Sequence, residues 1–133
     1  MTSITDEALA CAAVLLACRR ADELDNMGHN PVFQTAIASR NIFIGHDPAL
    51  LVEAAQRCLD QAGGFEALVD AAVGAIRPET RLPLLFHCLD VMLANGVVTP
   101  QEHKSFQYLK RKFKADEEMV WKGMEVLVLK NQL

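Results

Sequence analysis

Leu82-Pro83-Leu84-Leu85-Phe86-His87-Cys88-Leu89-Asp90-Val91-Met92-Leu93-Ala94-Asn95-Gly96-Val97-Val98-Thr99-Pro100-Gln101-Glu102 is the stretch whose reading decides the fold. Leu82, Leu85, Phe86, Leu89, Met92 and Leu93 recur at helical spacing. Leu84, Cys88 and Val91 make much of the remaining surface apolar, which is the pattern of a core helix. Gly96 then supplies a stop, Thr99 a start and Pro100 a favoured first helical position. Glu102 completes a capping box: Thr99 accepts from the Glu102 amide, and the Glu102 carboxylate returns to the Thr99 amide. Upstream, Thr80 as the cap would place Pro83 in the first turn, where no intrahelical donor is lost.

The same grammar of stops and starts runs along the rest of the chain. A first helix is expected from about Thr5 to Leu24, and a loop over Asp25 to His29. Asn30-Pro31 opens a second helix, to about Ile44, and Asp47-Pro48 a third, which Gly63-Gly64 ends. A fourth covers Phe65 to Ile76. Beyond the core helix, a sixth runs from Pro100 to about Phe113 with Phe106, Leu109 and Phe113 inward. A seventh starts near Asp116, with Val120, Met124, Leu127 and Val128 on one face. No stretch alternates as a strand would, so the expectation is one all-α domain of about seven helices.

Composition agrees. At 133 residues one domain can bury a real core. Hydrophobic residues at 51% and charged residues at 23% mark an ordered globular chain. A net charge of -4 argues against nucleic acid as a partner. The apolar run Ala8 to Cys18 is too short for a membrane span, which needs about 20 residues. Its upstream flank is acidic where a signal peptide is positive. A buried helix, no membrane insertion and a cytoplasmic setting are therefore expected. Cys11, Cys18, Cys58 and Cys88 form no C-x-x-C pair and read as reduced, buried hydrophobes.

A weak internal repeat is visible. Setting Ala21-Asp22 on Ala94-Asn95 places Leu16 on Leu89 and Leu9 on Leu82. After a four-residue insertion, Asn30-Pro31 falls on Thr99-Pro100 and Phe33 on Glu102. Each half would be a long apolar helix, a turn and a proline-started helix.

The segment Met92 to Glu102 resembles the second motif of the tellurite-resistance TerB family, A-D-G-x-[IV]-x-x-x-E between two helices. Ala94, Gly96, Val98 and Glu102 match it, and Asn95 stands where the family has Asp. The resemblance implies an all-α, non-enzymatic, TerB-like domain linked to tellurite and chemical-stress resistance. It implies protein partners in a membrane-associated stress complex, and a divalent cation such as calcium held by paired acidic residues. The positions concerned here are Asp22, Asp25, Asn95 and Glu102. In the first half Glu23 replaces the family glycine and Phe33 the glutamate, so half the charge is gone. A hard cation wants six or more oxygens, several of them charged, so weak or lost binding is the expectation.

Two other readings compete. His87 and Asp90 share a helical face and could serve a small helical enzyme as base and orienter. No recognisable nucleophile accompanies them, and a structural pair is the simpler account. An interaction module that binds a partner's helix would show a broad exposed apolar groove. The apolar excess also admits a homodimer. His29, His46 and His103 share no ligand spacing. Lys104, Lys110, Arg111, Lys112 and Lys114 suit an anionic surface, but they also complement the dipole at the end of the sixth helix.

Overall fold

Seven α-helices form the described part of the chain, residues 4–20, 30–95 and 98–133 of a computed structural model. The Asn95 side chain also lies outside that set. They are α1 (Glu7–Arg20), α2 (Pro31–Ser39), α3 (Pro48–Ala62), α4 (Phe65–Ala72), α5 (Pro78–Met92), α6 (Pro100–Lys112) and α7 (Glu117–Lys130). No strand occurs among the described residues. None of their helices is long and apolar enough to cross a membrane.

α1 is the centre. Ala8 and every residue from Ala10 to Arg19 are buried. α2, α3, α4 and α5 all pack on it. Its alanines make this possible: Ala10, Ala12, Ala13 and Ala17 let several backbones approach at once. Cys11, Cys18 and Cys88 are buried and unoxidised, as small hydrophobes, and Cys58 is half-buried. Burial pushes the Cys11 thiol up to about 12, and the neighbouring Glu7 charge adds to this.

Local caps fix where most helices begin. Asn30 Oδ1 accepts from the Phe33 amide at 3.0 Å and Asp47 Oδ1 from the Leu50 amide at 3.1 Å. Gly63, at φ 81, closes α3 in the left-handed region that glycine enters without a Cβ clash. α6 ends in the same way on a non-glycine residue. Lys114 has φ 53, and the Ala115 amide returns to the Lys110 carbonyl at 3.1 Å.

Three helix limits differ from the sequence expectation, and the expected end of the first helix at Leu24 lies outside the described residues. α4 stops at Ala72, where Val73–Ala75 tighten into a 3-10 turn. α2 stops at Ser39, not near Ile44. Arg40 turns extended, and Asn41–Phe43 form a separate 3-10 turn that buries Phe43. α5 begins at Pro78, with Arg77 rather than Thr80 as its cap residue. Pro83 therefore sits inside the helix rather than in its first turn. The cause is distant in sequence. Glu7 of α1 accepts the Arg77 amide at 2.8 Å and the Arg77 guanidinium at 3.0 Å. That fixes an extended Arg77, the conformation a following proline demands.

Desolvation raises the Glu7 carboxyl, but the Arg77 amide and guanidinium outweigh it and hold the pKa below the ordinary value. A carboxylate depressed in the folded state stabilises the fold above its unfolded pKa. That contribution is lost as pH falls through the folded pKa. Glu7→Gln is therefore expected to lower stability at pH 7 and to flatten the acid limb of a urea-midpoint versus pH curve. An unchanged acid limb would show that this pair contributes nothing.

Candidate functional site

The capping box that opens α6 forms as its sequence suggests. Thr99 Oγ1 accepts from the Glu102 amide at 3.1 Å, and Glu102 Oε1 accepts from the Thr99 amide at 3.0 Å. Glu102 is fully buried. Asn30 opens α2 in the same manner, and its Nδ2 donates to the Val91 carbonyl of α5 at 3.3 Å. Phe33 and Glu102 both stand at the third helical position, and both are buried.

Of the four expected metal ligands, Asp22 and Asp25 lie outside the described residues, as does the Asn95 side chain. Glu102 is the one described carboxylate, and one of its oxygens is committed to the cap. Among the described residues no group of three or more His, Cys, Asp or Glu is placed to hold a metal ion.

His87 and Asp90 lie on one face of α5, as their spacing requires, and both line an open groove with Pro31, Val32, Thr35, Ala36 and Arg40. Asp90 gives its carboxylate to Lys130 of α7, at 3.2 and 3.3 Å. Burial lowers the His87 pKa, and Arg40 lowers it further against the opposing pull of Asp90. Both effects favour the neutral imidazole.

A second hollow adjoins this groove. Cys11 and Leu15 of α1, Ile42 and Phe43 of the 3-10 turn, and Thr80, Pro83, Leu84 and His87 of α5 enclose about 170 Å³. Arg40 and His87 border both spaces.

Two cations of the basic run on α6 are paired with acids of neighbouring elements. Lys110 meets Glu117 and Lys112 meets Asp70, each at 3.2 Å. Tyr108 donates to Asp70 at 2.6 Å, and Arg111 and Lys112 lie over its ring. Phe106, Leu109 and Phe113 are buried, so the sequence account of this helix holds.

α7 is the most exposed helix of apolar composition. Val120 is its one buried residue, while Trp121, Val126 and Leu129 are 64%, 64% and 67% exposed. Met119 and Val128 are exposed as well. The sequence places Val128 inward with Val120; in the fold Met124 and Leu127 are half-buried and Val128 faces out. Between α5 and α7 runs an apolar groove of about 360 Å³ over Phe86, Met119, Lys122, Gly123, Val126 and Leu127. A Cβ on Gly123 would lie inside the van der Waals envelope of Phe86 Cε1 and Cζ. Gly123 therefore sits in a helix interior, at a propensity cost of about 1 kcal/mol, because the ring needs the space. Gly123→Val is expected to push the Phe86 ring aside and lower stability by about 1–3 kcal/mol. Phe86→Ala in the same chain should recover part of that loss in a urea-denaturation cycle. Strict additivity would show that the two do not touch.

The architecture defines an all-α helical bundle with a polar-mouthed cleft on one side of α5 and an apolar groove against α7. No protein-family model, curated protein or solved structure matches this chain.

Proposed function

We propose that this chain is a non-catalytic binding module, a TerB-like scaffold of a stress-response complex, that docks an amphipathic helix of a partner protein in the α5–α7 groove. The exposed apolar face of α7 carries this reading. Large apolar patches on a soluble chain mark interaction surfaces, and tryptophan is enriched in them. A groove between two helices accepts the apolar stripe of a third, side chains set into the gap as ridges. The engagement of Asp90 by Lys130 supports binding over catalysis, because it takes the orienting carboxylate from His87. Calcium has no necessary part in this reading; Glu102 serves the α6 cap.

The test places a photo-crosslinking side chain at Val126, and at exposed Glu53 of α3 as control, in the cells the protein comes from. A discrete heterologous adduct from position 126 and none from position 53 is expected. Equal adducts from both positions, or none from either, would sink the proposal. An adduct at twice the mass of the chain would replace the partner by a second copy.

A further inference from the structure

We infer that the hollow between α1, α5 and the Asn41–Phe43 turn is a binding site for a small carboxylate with an apolar body of single-ring size. Its apolar lining is Cys11, Leu15, Phe43 and Leu84, all buried, with half-buried Ile42 and exposed Pro83. At about 170 Å³ it is close to the cavity of roughly 150 Å³ that holds one benzene ring in an engineered protein core. Its face on α5 is regular. Thr80, Pro83, Leu84 and His87 follow at i, i+3, i+4 and i+7, so one side of the helix lines the space.

The mouth selects the charge. Arg40 and His87 stand where the hollow meets the outer groove. On the groove side Asp90 is balanced by Lys130 at 3.2 Å; beside Cys11, Glu7 pairs at 3.0 Å with Arg77, which Glu79 shares, and Asp6 acts on the same thiol. Thr80 directs its hydroxyl towards the Glu7 carboxylate. The Arg40 guanidinium thus sets the sign at the opening, and its planar fork matches a carboxylate. The neutral imidazole of His87 adds one N–H donor beside it. Burial favours the uncharged forms of both thiol and imidazole, so a ring entering the hollow meets no buried charge. This small-molecule site is separate from the α5–α7 groove and stands or falls without it.

The experiment is a titration of the full chain with benzoate, followed by amide chemical shifts, beside benzyl alcohol as the uncharged probe of equal size. Saturable shifts are expected at Leu15, Ile42, Phe43 and Leu84, with benzoate binding more tightly than the alcohol. Arg40 is exposed, so Arg40→Gln should fold normally. In that variant benzoate should weaken about tenfold, the scale of one charge-assisted contact, while the alcohol is unchanged. No saturable shift at those amides with millimolar benzoate would overturn the inference. So would equal affinity for both probes, or an Arg40→Gln variant that binds benzoate as well as the parent.

Discussion

Leu16→Ala is expected to cost about 2–5 kcal/mol, the range for truncating a fully buried leucine in a tight core. For a chain of 133 residues that corresponds to a loss of roughly 7–18 °C in melting temperature. The reason is the position of α1. Leu16 is 1% exposed, and the helix is enclosed by α2, α3, α4 and α5, leaving little freedom to collapse into the hole. Enclosure also makes the opposite change harmful. Ala13 is fully buried, and Ala13→Leu adds volume inside the helix-packed core, at about 1–3 kcal/mol. On the exposed side of α7, Leu129→Ala should stay within about 0.5 kcal/mol. Urea denaturation with an unchanged slope would measure all three. A Leu16→Ala loss below about 1 kcal/mol would mean that α1 is not the packing centre.

The contrast between α1 and α5 shows what a sequence of this kind reveals. The run from Ala8 to Cys18 is apolar on every face and too short to span a membrane, so its burial is legible directly. The starts at Asn30-Pro31, Asp47-Pro48 and Thr99-Pro100 are equally legible, because a cap needs only its own next three residues. The start of α5 is not. Pro78 and Pro83 both satisfy local rules, and the choice between them rests on Glu7, 70 residues away. The end of α2 is similar: Ile42 and Phe43 continue a helical period, yet the chain breaks at Arg40 to bury Phe43 against α1. The same limit governs the site. Spacing places His87 and Asp90 on one face, but the salt bridge from Lys130 is a product of how α7 packs. The hollow beside His87 draws its walls from three separated segments, which no local pattern announces.

Glu102→Ala is expected to destabilise the chain by about 2–4 kcal/mol, combining an orphaned Thr99 amide with the void left by a fully buried side chain. Thr99→Ala removes the other half of the box and should cost about 1 kcal/mol. Because the two bonds are reciprocal, the double variant should lose less than the sum of the singles. Glu102→Gln separates two roles of the carboxylate. A glutamine oxygen can still accept the Thr99 amide, so the cap survives. Glu102→Gln exchanges the acid for a neutral amide at the α6 N-terminus, where a negative side chain is worth about 0.3–1 kcal/mol. The order Ala, then Thr99→Ala, then Gln is therefore the signature of a side chain kept for the helix start. A cation site predicts a different order, since neutral glutamine is a much poorer partner for calcium than a carboxylate. Under that alternative the parent melting temperature would rise with added calcium, and the Gln variant would not respond. α2 offers the comparison. At the third helical position of α2 stands a buried aromatic, Phe33, and Asn30 alone caps that helix. A helix start in this chain therefore forms without a glutamate at its third position, so the α6 start needs Glu102 only as one of two ways to satisfy a cap.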